Sequence, residues 1–168
     1  ITPWSLESLG IAWTTLSGTV LLSCVASVSP AANVVYYVPF VLHEQVTVTY
    51  LFVVNSTTIN GSFDIGIYTS DGRLLVSTGA TAHAGSNSVQ AVDIPDFVLE
   101  PGNYYLAFVT NSAAATFQGG TLPQLNYHKF LGVAQQEATF PLPATATFAT
   151  AGRNWMPLFG ALIEQTGI

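Results

Sequence analysis

Three histidines, one cysteine and nine acids are the side chains with which this chain could build acid–base or metal chemistry. His43, His83 and His128 lie far apart, each in a different expected loop or strand end, and no pair has the local spacing of zinc ligands. They read as polar loop histidines. Asp93 and Asp96 flank Ile94-Pro95, with Glu100 close behind. Two carboxyl groups about 5–10 Å apart would suit glycoside hydrolysis, and loop oxygens would suit calcium, although the ligand order of an EF-hand is absent. Turn chemistry accounts for the same residues, with Asp capping amides beside Pro95. The chain carries no Gly-x-Ser-x-Gly elbow, phosphate loop or dinucleotide fingerprint. No catalytic residue, cofactor or metal is assigned, and the chain reads as a non-enzyme.

Aromatic side chains remain as a means of binding. Tyr127, His128 and Trp155 flank an irregular segment, where an exposed ring would stack on a sugar face or fill a partner's pocket. A place in the core is equally open to each, since aromatics carry much of the buried area of a β domain. Asn55-Ser56-Thr57 and Asn60-Gly61-Ser62 match the glycosylation acceptor, a permissive pattern that matters only in a secretory eukaryotic source. Cys24 has no partner for a disulfide and sits in an apolar run as a small hydrophobe.

The elements that must position these residues are strands. In Phe63 to Tyr68, Phe63, Ile65 and Ile67 share one face and Asp64, Gly66 and Tyr68 the other, the period of a half-buried strand. Asp71-Gly72 predicts a type I′ hairpin turn, which needs positive φ at both central residues. Pro101-Gly102 predicts a second turn, with Gly supplying a conformation that other residues avoid. After it Tyr104, Leu106 and Phe108 alternate with Tyr105, Ala107 and Val109. Val46 to Asn55 predicts a strand with Val46, Val48, Tyr50, Phe52 and Val54 on one face, covered on both sides at its end. Gly18–Val28 and Asn33–Leu42 also read as strands, and Pro39 assigns the second to an edge or a bulge. Thr116-Phe117-Gln118 forms a short strand, and Trp155 to Ile163 a single closing one. Residues 1–17 are expected as an N-terminal arm and 121–152 as an irregular surface excursion. Residues 1–168 make one domain.

Composition limits the function. Only 7% of the 168 residues are charged, against about 25% in an ordinary soluble domain. Few charges are left to cover a monomer, which points to an oligomer whose interfaces resemble a core cut in half. Arg73, Lys129 and Arg153 are the only bases against nine acids, a net charge of −6. Nucleic-acid binding, which needs clustered Lys and Arg, is excluded. Ile11 to Val28 is apolar enough to raise a membrane or leader segment. Recurrent Ser and Thr, Gly18 and the absence of a basic flank favour strands or interface segments instead, so no membrane insertion is expected.

Asp64-Ile65-Gly66-Ile67-Tyr68, Asp71-Gly72-Arg73-Leu74-Leu75 with Ser77-Thr78-Gly79, Leu99 to Ala107 and the closing Pro157-Leu158-Phe159-Gly160 carry a resemblance. Together they resemble a β-sandwich domain of tailed-bacteriophage virion proteins of tail-fibre, receptor-binding and head-fibre or decoration type. A hairpin followed by Pro-Gly and Tyr-Tyr-Leu also occurs in carbohydrate-binding jelly rolls. The resemblance implies an all-β, antiparallel β-sandwich of jelly-roll type, displayed as a homotrimer at the virion surface, outside the cell. Its partners would be itself, other virion proteins and a host-surface glycan met by loops at Ala80–Ser88 and Gln124–Gly152. It transfers no site residue and does not separate a tail from a capsid location. Two alternatives stand beside it: a carbohydrate-binding module of a larger secreted protein, and a glycan-cleaving enzyme using Asp93, Asp96 or Glu100.

Overall fold

The computed structural model describes residues 11–14, 26–121, 132–150, 152 and 155–163. In this part of the chain every regular element is a strand, as the alternating apolar pattern and scattered Gly and Pro require. The first strands are β1 (Ile11–Thr14), β2 (Ala26–Val28), β3 (Val35–Leu42), β4 (Val46–Val54) and β5 (Ser62–Thr69). Then come β6 (Leu74–Ser77), β7 (Thr81–Ala82), β8 (Val89–Leu99), β9 (Gly102–Thr110) and β10 (Phe117–Thr121). The last are β11 (Ala134–Gln136), β12 (Ala149–Thr150), β13 (Trp155–Pro157) and β14 (Phe159–Ile163).

All pairings are antiparallel. One sheet runs β12-β11-β3-β9-β5-β6, with β7 also on β5; another runs β1-β14-β4-β8, and a third β13-β10-β2. Apolar side chains from all three sheets meet in one core: Phe40, Phe63, Ile65, Ile67, Leu106 and Phe108 from the first, Val48, Leu51, Val53 and Phe159 from the second, Val28, Phe117 and Met156 from the third. That is the arrangement of a β-sandwich.

The segment Phe63–Tyr68 keeps its expected faces but not its expected exposure. Phe63, Ile65 and Ile67 enter the main core, while Tyr68 faces a second one, and all of 63–68 is buried. The strand is covered on both sides rather than half-buried. The cover comes from 132–150, expected as a surface excursion. There β11 adds to β3, and Leu142 packs on Val35, Tyr37, Tyr68, Ala107 and Val109, with Phe140 and Ala146 beside it. Burying a leucine in this way contributes about 1.5–3 kcal/mol.

The turns differ from the expected types. Of Asp71-Gly72 only Gly72 has positive φ, at 93°. The Gly72 N–H donates to Thr69 O at 3.0 Å and the Thr69 N–H to Arg73 O at 2.9 Å, a type I turn closed by a glycine bulge instead of type I′. Gly102 has no positive φ; it opens β9, and the Pro101-Gly102 step carries the chain from one sheet to another. In β4, Leu162 and Ile163 of β14 face Tyr50 and Val48, which leaves Thr49 as an extra residue. The bulge shifts the phase, so Val48 shares the core with Leu51 and Val53, while Tyr50 is 39% exposed. Trp155–Ile163 is likewise two strands, not one. Leu158 joins them, donating to Gln118 O at 2.8 Å and accepting from the Val54 N–H at 2.9 Å. Pro39 lies past the end of β11, where among the described residues β3 pairs with β9 alone, as a proline requires.

Candidate binding cleft

The face of β3 and β9 that carries the second core continues beyond it. Tyr37, Pro39 and Val41 alternate onto this face from β3, and Ala107, Tyr105 and Asn103 from β9. Pro39 pairs with Tyr105 and Val41 with Asn103. Here a cleft of about 360 Å³ opens, lined by Pro39, Phe40, Val41, Ser70, Asn103, Tyr104 and Tyr105.

Its walls are fixed by packing. Tyr105 lies 4.5 Å from the tilted ring of Phe148 and meets Tyr37 edge-on at 6.5 Å. Tyr104 stacks on Phe40 at 5.7 Å, and its hydroxyl donates to Glu100 O at 2.7 Å. Val41 is 52% exposed. The side chains of Asn103 and Ser70 are exposed, and among the described residues neither makes a hydrogen bond. Among the described residues the lining carries no carboxylate, amine or guanidinium. Such a site offers apolar area with a few neutral hydrogen-bonding groups, and no charge.

Beneath the cover lies a polar cluster of different character. The buried Asp64 carboxylate accepts from the Leu142 N–H at 3.0 Å and from the Thr78 hydroxyl at 3.1 Å. Burial pushes its pKa up, and these hydrogen bonds oppose the shift. Tyr68 donates to Pro143 O at 2.6 Å and Tyr37 to Gln136 Oε1 at 2.8 Å, their rings meeting edge to face at 5.2 Å. Burial raises both phenols, Tyr37 to about 12. Each of these groups is engaged with the cover, so the cluster anchors a segment rather than awaiting a substrate.

The residues singled out from sequence are dispersed. Tyr127 and His128 lie outside the described residues, as does Cys24, and Trp155 is described only by its backbone pairing with Thr121. His83 lies in a loop, as expected, but is buried rather than solvated. It is 6% exposed, stacked on Phe117 at 4.4 Å and edge-on to Phe63 at 6.3 Å, with Nδ1 3.3 Å from the Asn60 amide nitrogen. Burial lowers its pKa. His43 is exposed. Asp93 and Asp96 are exposed on β8, on either side of a register shift between Val48/Phe97 and Tyr50/Asp93, so the expected turn is a bulge within one strand. Glu100 accepts from Gln45 Nε2 at 2.6 Å. No group of three or more His, Cys, Asp or Glu that would hold a metal occurs among the described residues.

Asn55 leaves its acceptor pattern unusable in the folded chain. It is fully buried, and its Nδ2 donates to Ala84 O at 2.6 Å, Gly85 O at 3.0 Å and Gln90 Oε1 at 3.1 Å. The same contacts pin the loop Ala80–Ser88 against the body, with Ser86 Oγ donating to Thr57 O at 3.2 Å.

No family model matches the chain, and no curated protein or solved structure does either. Among the described residues no helix is long and apolar enough to cross a membrane.

Proposed function

We propose that this chain is a non-enzymatic structural and adhesive component of a bacteriophage particle, a jelly-roll β-sandwich displayed on the virion surface as a homotrimer. One observation carries the reading. The strand β8 closes its sheet with eleven residues and has no partner on its outer side among the described residues. Val89 and Val98 near its two ends are 60% and 51% exposed. A long edge with apolar ends needs covering, and a second copy of a chain this poor in charge is a suitable cover. Asp93, Pro95 and Asp96 interrupt the middle of the edge, which guards against open-ended pairing. The test is solution mass by light scattering at several concentrations. A constant mass of three times the 17.8 kDa chain is expected; a concentration-independent monomer would overturn the assembly.

The cleft favours a second reading, a carbohydrate-binding module of a larger secreted protein. That reading expects a monomer whose thermal stability rises with sugar concentration by mass action.

A further inference from the structure

We infer that the cleft between the ends of β3 and β9 binds one uncharged pyranose unit of a host-surface glycan; the inference rests on the adhesive reading above and supplies its contact point. The volume of about 360 Å³ falls at the small end of ligand sites, which span roughly 300–1,000 Å³. A single sugar ring is an occupant of that scale. The chemistry of the lining narrows the class further. Pro39, Val41 and the Tyr105 ring offer apolar surface of the kind that packs against the C–H face of a pyranose. Asn103 offers an amide donor and acceptor and Ser70 a hydroxyl, both exposed and neither engaged by a described residue. These are the neutral groups that ring hydroxyls pair with.

Charge decides against anionic sugars. Among the described residues the cleft has no basic side chain in its lining, and the whole chain has three bases against nine acids. A sialic or uronic carboxylate would be desolvated there without a partner, at a cost that an uncharged hexose avoids. Preorganisation supports the site as well. Phe148 and Tyr37 hold Tyr105, and the β-ladder fixes Val41 opposite Asn103, so binding orders little that is not already ordered. One unit in an open cleft binds weakly, and several copies on one particle would restore avidity.

The test is a ¹H–¹⁵N titration of the full chain with methyl glycosides of glucose, galactose and N-acetylglucosamine, with glucuronic acid as the charged control. Saturable shifts at Val41, Ser70, Asn103 and Tyr105 with at least one neutral glycoside, and none with glucuronate, are the expected result. Val41→Glu and Asn103→Ala alter exposed positions and should leave the fold's spectrum intact while weakening binding at least about tenfold. No saturable shift at the cleft with any neutral glycoside would overturn the site, as would binding unchanged in both variants. The adhesive reading fails separately: it would fall if the wild-type assembly does not attach to glycan-bearing cells, whatever the titration shows. Attachment that persists in Val41→Glu would discard the cleft and keep the adhesin.

Discussion

Gly66 and Asp64 show how much of this fold is decided by single side chains under the cover. A Cβ on Gly66 would stand 2.7 Å from Leu142 Cδ1 and 2.9 Å from the Val76 carbonyl oxygen. The leucine tip can shift but the carbonyl is held in the sheet, so Gly66→Ala should cost on the order of 1–3 kcal/mol, measured as a lower denaturant midpoint. Asp64 makes a prediction of opposite feel, in which acid helps. Its pKa is raised in the fold by burial, whereas in the unfolded chain it titrates near about 3.9. Between those values the folded state keeps a proton that the unfolded state has lost, so stability falls as pH rises through the window. In Asp64→Asn the amide oxygen can still accept from Leu142 and the nitrogen can turn to Thr78. Melting temperatures of the two proteins from about pH 4 to about pH 7 should therefore converge toward acid and diverge toward neutrality, the variant being the more stable. Parallel curves would refute the assignment. His83 contributes with the reverse sign: its lowered pKa favours the neutral ring, so its share of stability is lost as pH falls below the ordinary histidine range.

At the scale of elements, sequence periodicity reads local faces well and layers poorly. The alternation of Phe63–Tyr68 and of Tyr104–Val109 was legible because both strands are regular and pair along their length. The bulge at Thr49 left no mark in Val46–Val54, since from Tyr50 onward the run is apolar on both faces and looks the same in either phase. Asp93-Ile94-Pro95-Asp96 did leave a mark, but proline and aspartate signal a turn and an edge-strand bulge alike. The second layer was beyond reach. Its partners, Leu142 over Tyr37 and Tyr68, are brought together only by tertiary contact, and a segment holding Pro141 and Pro143 has no periodicity of its own. The cleft was hidden for the same reason, because Val41 and Asn103 become neighbours only through the β3–β9 ladder. That layer makes its own prediction. Leu142→Ala should cost about 2–5 kcal/mol, and proteases should cut within 132–150 before they cut β5 or β9.

For the molecule as a whole the scarcity of charge is the governing fact. Exposed Val89, Val98, Val41 and Tyr50 are spread over a chain with only twelve charged side chains, nine acids and three bases. Placing one charge at the proposed interface should therefore have a large effect. Val98→Lys is expected to reduce the light-scattering mass to that of a single 17.8 kDa chain while circular dichroism stays that of a β protein, since the position is half-exposed and outside the core. Unchanged mass would move the interface away from β8.

The placement of β14 has a consequence for how such a chain is made. Phe159–Ile163 sits inside its sheet, between β1 and β4, and Leu158 ties the neighbouring three-stranded sheet to the same seam. Synthesis runs from β1 toward β14, so Val53 must wait for Phe159 before one flank of its strand is satisfied. Until then an emerging chain presents an apolar β4 and an open slot of matching width, which any strand of another nascent copy can enter. Folding of this sheet is gated by the emergence of β14, and crowding on one message of chains that still lack it is the moment of greatest risk.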